Sequence, residues 1–288
     1  MGRVFVGTEA VASGAATPGE LRYTYRRLFP NVYVPRDEAP SLTVRTVAAS
    51  LWSGRQGVIT GRAAAAWHGS RWVDSSVPIE LVHDCKRPPT GIITRNERIA
   101  EDEYVLCDGL AVATVERAAF DLGRFLPFAR AVEQLDALAN RTELTADGVL
   151  ALAERYQGAR GTRRLRRALD MMNSGAQSPK ETWLRLLLIR AGFPRPETQI
   201  PVFDDYGHAF AYLDMGWKDL GIAVEYDGDH HRERAQYRFD IQRVRKIEDR
   251  GYLHIKVINE DRDAEIIARV RQAWALRESA LTVARRAS

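Results

Sequence analysis

Two carboxylates, Glu225 and Asp227, stand in Gly221-Ile-Ala-Val-Glu-Tyr-Asp-Gly-Asp-His-His231, where an apolar run meets a Gly-Asp turn. The β-branched, aromatic and small residues read as a short buried strand. Alternation puts Ile222, Val224 and Tyr226 on one face and Ala223, Glu225 and Asp227 on the other. Burying that much negative charge is costly unless a cation or hydrogen-bond donors compensate it. A divalent metal, Mg²⁺ or Mn²⁺ on hard carboxylate oxygens, is the simplest compensation. The alternative is a charge network in which the pair faces arginines of the next helix.

Upstream, Ala211-Tyr-Leu-Asp-Met-Gly-Trp217 is another short apolar run interrupted by one acid, Asp214. Paired as a hairpin across Lys218-Asp-Leu-Gly221, it would bring Asp214 beside Glu225. Further back, Ser178-Pro-Lys-Glu181 opens an amphipathic helix with Leu184, Leu187, Leu188 and Ala191 at helical spacing. Ser178 is the expected N-cap, Pro179 takes the first helical position, and Glu181 falls where a capping box needs it. Glu181 is therefore open to two readings, a cap or a metal group. Downstream, a helix over about 232–250 carries Gln236, Asp240 and Arg243 on a stripe that can look back at the acids, and Gly251-Tyr-Leu-His-Ile-Lys-Val257 closes the sheet.

The order helix Glu, strand Asp, then Glu-x-Asp-Gly resembles the PD-(D/E)XK nuclease superfamily, and within it the very-short-patch-repair-like branch with an E-x-D-G-x-x-H signature. The likeness runs from about 177 to 267 and includes the Arg190-Ala-Gly-Phe-Pro-Arg-Pro196 turn. It implies a restriction-endonuclease-like mixed sheet flanked by helices, with Asp214, Glu225 and Asp227 as metal ligands. Glu181 would be the helix carboxylate and His231 the signature histidine. Asp227 occupies the place where the superfamily has its lysine, which helps to position water and to stabilise developing charge. That role falls to His231, His230 or Lys218, to a further metal at Asp227, or to no group in a fold that has lost catalysis.

The first half alternates helix and strand signals. A helix from Thr17 carrying Arg22, Arg26 and Arg27 leads to the wing Asn31-Val-Tyr-Val-Pro35, and residues before it read as a small, unpatterned arm. A helix over 41–51 and another from Thr60 precede strands at 78–83, 91–94, 103–107 and 110–113. Ile59-Thr-Gly-Arg-Ala-Ala-Ala-Ala-Trp-His-Gly69, Asp108–Leu122 and the wing are similar to AbiE-type antitoxin and regulator proteins, which implies a winged-helix-like α+β domain that binds DNA. Residues 125–174 read as a helical connector, so the expected organisation is 1–124, 125–174 and 175–288, an α/β (α+β) chain.

Within that connector, Arg163, Arg164, Arg166 and Arg167 crowd one helix whose buried side is Leu165, Leu169 and Met172. Arginine forks suit phosphate, so Arg163, Arg164 and Arg167 are the nucleic-acid candidates, with a solvated or salt-bridged face as the alternative. Net charge is only +4, and 45% apolar with 28% charged residues is the balance of an ordinary soluble chain. Cys85 and Cys107 have neither disulfide-framework nor zinc spacing. No signal-peptide layout or membrane-length run occurs, so a cytoplasmic location is expected. Phosphate-loop, dinucleotide and nucleophile-elbow motifs are missing. The leading expectation is a Mg²⁺- or Mn²⁺-dependent nuclease acting on DNA, in phage defence or repair. The rival is a non-catalytic DNA-binding regulator or antitoxin with a degenerate nuclease fold. A homodimer or a toxin partner is compatible with either.

Overall fold

In the computed structural model the chain is described over residues 4–37, 39–228 and 234–287, with side chains outside 234–241 and 281–287. It forms two compact units, Met1–Ser174 and Gly175–Ser288. Both mix helices and sheets.

The first unit begins β1 (Phe5–Val6), α1 (Gly7–Ala12), α2 (Pro18–Tyr23), β2 (Tyr25–Phe29) and β3 (Val32–Pro35). These strands make an antiparallel sheet of order β1-β3-β2. The arm expected at the N-terminus is thus partly built into β1 and α1. Arg26 and Arg27 lie on β2 and not on the preceding helix. That helix starts where expected, on a reciprocal Thr17–Glu20 capping box, but stops at Tyr23. The alternation of Tyr25-Arg-Arg-Leu-Phe then lets Phe29 bury against the wing, a tertiary gain that outweighs the good helix propensity of arginine and leucine.

Next come α3 (Leu42–Trp52), β4 (Val58–Thr60), α4 (Gly61–Trp67), β5 (Ile79–Val82), β6 (Ile92–Arg95), β7 (Tyr104–Cys107) and β8 (Leu110–Ala113). Their strands form a mixed sheet of order β6-β5-β4-β8-β7. Helices α5 (Val115–Phe125), α6 (Phe128–Ala139), α7 (Ala146–Glu154) and α8 (Thr162–Asp170) complete the unit. The residues read as a connector are therefore part of this body. Phe120, Leu122, Val132, Leu135, Leu138 and Leu165 are all buried in it.

The second unit runs α9 (Pro179–Arg190), β9 (Glu197–Phe203), β10 (Ala209–Trp217), β11 (Ile222–Tyr226), α10 (Arg234–Asp249), β12 (Leu253–Val257) and α11 (Asp263–Ala287). Its sheet has the order β12-β11-β10-β9, antiparallel except for the parallel β11–β12 pair that α10 connects. Ser178 caps α9 by accepting the Glu181 N–H at 3.1 Å. The helix ends at Arg190, and the φ of +95° at Gly192 just beyond it lets the N–H groups of Gly192 and Phe193 return to the Ile189 and Leu188 carbonyls. Leu184, Leu187 and Leu188 of α9 join Met215, Trp217, Ile222, Val224, Ile255, Val257 and, from α11, Ile266 and Val270 in one core. A smaller cluster unites Ala223, Leu213 and Ile200 with Ile247 of α10.

Gly216 sets how closely β10 and β11 approach. A Cβ there would lie 2.1 Å from the Ile222 carbonyl oxygen, a backbone atom that cannot swing away. Gly216→Ala should push the hairpin apart and destabilise the unit by about 1–3 kcal/mol. Urea denaturation of the full chain checks this, and an unchanged midpoint would contradict it.

Candidate acidic site on the second sheet

The hairpin predicted from sequence is present. Met215 pairs with Val224, and just beyond that pair Asp214 Oδ2 accepts the Tyr226 N–H at 2.9 Å, near enough to Glu225 for the two charges to repel. Glu181, at the third position of α9, is buried and accepts the Gln177 N–H at 2.8 Å. Burial raises the Glu181 carboxyl above its ordinary value, with repulsion from Glu225 adding to it, against the bonds from Gln177 and Ser178. Asp214 is moved furthest. Burial first, then the charges of Glu181 and Glu225, push its carboxyl up to about 7, despite the opposing Tyr226 N–H and Arg243 charge.

Glu225 has a different environment. Arg243 of α10 clamps it through Nη2–Oε1 at 2.7 Å and Nη1–Oε2 at 3.1 Å, and His254 Nε2 lies 2.5 Å from Oε2. Burial pushes the Glu225 carboxyl up, but the hydrogen bonds and charges of His254 and Arg243 outweigh it and hold the group below its ordinary value. The ion-paired reading of Glu225 with the next helix is thus realised in Arg243. Asp227, just past β11, meets Lys256 of β12, with Nζ 2.6 Å from Oδ2.

The structure gathers Glu181, Asp214 and Glu225 into one electrostatic neighbourhood. Among the described residues, no group of three or more His, Cys, Asp or Glu has the arrangement to hold a metal ion. His230 and His231 lie outside the described residues, as do the side chains of Gln236 and Asp240. Lys218 is in the turn before β11, while Asp227 follows the strand. At about 3.3 Å per residue the strand sets them roughly 15 Å or more apart. His254 and Lys256 were not singled out from sequence. Their signal was the alternation Leu253, His254, Ile255, Lys256, Val257, which marks a polar face, but only the parallel register Ala223↔His254 and Glu225↔Lys256 shows that this face meets the acids.

The nucleic-acid candidates of the first unit lie on α8, where Arg163, Arg164, Arg166 and Arg167 are all exposed. Two have duties within the fold. Arg164 Nη1 donates to the Arg124 and Leu126 carbonyls, and Arg167 stacks its guanidinium 5.2 Å from the Phe128 ring centre. If α8 tracks phosphates, Arg163→Ala and Arg166→Ala should each flatten the salt dependence of DNA binding by about one unit. Neither should move the melting temperature measurably. An unchanged slope in a salt titration would leave α8 as a solvated face.

No profile of a known protein family matches this chain, and no solved structure matches it. Two uncharacterized proteins of Mycobacterium tuberculosis, one from strain CDC 1551, are each 26% identical to it over 238 residues, spanning 82% of this chain and 86% of theirs. No helix among the described residues is long and apolar enough to cross a membrane.

Proposed function

We propose that the second unit is a metal-dependent nuclease-like domain hydrolysing phosphodiester bonds of DNA, with Asp214 and Glu225, and Glu181 beside them, as the carboxylates that hold Mg²⁺ or Mn²⁺. The observation that carries this reading is the position of Asp214, a largely buried carboxyl whose burial first, and the nearby Glu181 and Glu225 second, delay its ionisation to about 7. A hard cation beside these carboxylates would relieve their repulsion, although the described residues by themselves form no group of three or more ligands for it. Such an ion supplies charge neutralisation at the scissile phosphate and a more acidic bound water. The chain's own residues orient the donors. Tyr226 N–H fixes one Asp214 oxygen, Ser178 and Gln177 fix Glu181, and Arg243 with His254 fixes Glu225. The four-stranded mixed sheet between α9, α10 and α11 further supports a restriction-endonuclease-like fold.

A second reading has its own observation. Both Glu225 oxygens already accept charged or ring donors, as a structural network would have them do. On that reading the chain is a DNA-binding regulator, with the β2–β3 hairpin and α8 arginines as its contacts. A Mn²⁺ titration followed by thermal melting separates the two. The nuclease reading expects stabilisation that grows as pH rises through 7, because cation and proton compete for Asp214. No stabilisation at millimolar Mn²⁺ at pH 8 would favour the regulator.

A further inference from the structure

We propose that β7, an open edge of the five-stranded sheet, pairs antiparallel with β7 of a second copy of this chain, joining two sheets into one across a two-fold axis at Val105. In the order β6-β5-β4-β8-β7 this strand lies at the end and, among the described residues, pairs with β8 alone. Asp108 and Gly109, at φ +50° and +77°, make the two-residue turn between them, and the register runs unbroken from Cys107↔Leu110 to Tyr104↔Ala113. Such a turn bonds Cys107 to Leu110, and at the other end the Thr114 N–H donates to the Glu103 carbonyl at 2.9 Å. Backbone groups alternate sides along a strand, so Glu103, Val105 and Cys107 face β8. Tyr104 and Leu106 turn their N–H and C=O groups to the open edge.

This edge lacks the features that keep strands apart. Tyr104-Val-Leu-Cys107 has no charge, no proline and no bulge, and Val105 and Leu106 are 43% and 76% exposed. The edges of the other unit's sheet are guarded, since β9 contains Pro201 and Arg269 donates to the Lys256 carbonyl of β12 at 2.8 Å. A second copy is the occupant because the stretch complements itself. Antiparallel pairing centred on Val105 sets Tyr104 against Leu106 of the second copy, where each such pair exchanges both backbone hydrogen bonds, and sets Val105 against its own equivalent in the closer, non-hydrogen-bonded position. Tyrosine then packs on leucine and valine on valine. At the ends Asp108 approaches Asp102 of the second copy, but Arg155 already neutralises Asp102 through bonds at 2.8 and 2.9 Å. So short an edge makes a weak dimer, with a Kd on the order of 10 µM.

Sedimentation of the full chain in thiol reductant, from about 1 to 100 µM, tests this. Wild type should pass from the mass of one chain to that of two. Leu106→Pro removes only an outward N–H and spares the bonds to β8, while Leu106→Lys places a charge in the paired stretch. Each should raise Kd by about tenfold or more and leave the melting temperature unchanged. If Leu106→Pro melts lower, Leu106→Lys decides. Val105→Cys in a Cys85→Ser, Cys107→Ser background should cross-link two chains on oxidation, because the closer pairs bring these side chains together. A dimer undiminished by Leu106→Lys, or no cross-link at Val105→Cys, would overturn the proposal. A wild type that keeps the mass of one chain throughout would overturn it too and leave the edge to a strand of another protein.

Discussion

Replacing Asp214 by Asn is expected to abolish Mn²⁺-dependent cleavage while making the metal-free protein more stable. In the folded chain Asp214 ionises at about 7, against an ordinary value of 3.8. Between those values the folded state holds a proton that the unfolded state has released, so stability falls as pH rises through this window. The favourable contribution is complete below about 4 and gone above about 7. Asn carries no such charge, so the variant's advantage should grow from pH 4 to pH 7 and then level off. Solvent access to the half-buried carboxylate reduces the gain at pH 8 to about 1–3 kcal/mol. Melting curves over pH 4–8 check this, and a variant less stable than wild type at pH 8 would show that Asp214 is already neutralised by a partner. Activity should fall by roughly two orders of magnitude or more, since the lost group is a proposed metal ligand. The argument does not extend to Glu225, whose clamp by Arg243 and His254 favours its ionised form, so Glu225→Gln should lose stability as well as activity.

The other large effect is expected in the first unit. Arg117 is fully buried, and its guanidinium reaches Glu103 at 2.6 Å, Asp121 at 3.0 Å, the Arg98 carbonyl at 3.1 Å and the Tyr156 hydroxyl at 3.0 Å. Asp121 also accepts the Thr60 hydroxyl at 2.6 Å, which ties α5 to the end of β4. Burial already pushes the Asp121 carboxyl above its ordinary value, with Arg117 the chief opposing charge. Arg117→Ala would leave two buried carboxylates short of their main cation, at a cost of about 3–5 kcal/mol. Arg117→Lys keeps the charge but loses the fork, so its loss should be smaller. A shift in urea midpoint for Arg117→Ala no larger than that of a surface arginine would contradict this.

What could be read from sequence depended on whether the signal was local. The cap and leucine spacing of α9, the apolar runs of β10 and β11 and the turn between them are consecutive residues, and each is found where the pattern put it. The Asp214–Glu225 juxtaposition followed, because a tight hairpin fixes its own register. The partners of those acids were less legible. Arg243 could be placed on a stripe facing them, but His254 and Lys256 depend on a parallel pairing across a whole helix, whose register no neighbouring turn determines. Arg26 and Arg27 failed for the opposite reason. Their local propensity favours helix, and packing of Phe29 under the wing decides for strand.

The proposed role of the second unit is tested most directly by incubating the purified full chain with a DNA duplex in Mn²⁺, with EDTA and with Asp214→Asn in parallel. Expected is strand cleavage that needs the metal and disappears in the variant. No cleavage in Mn²⁺ or Mg²⁺, or cleavage undiminished by Asp214→Asn, would contradict it.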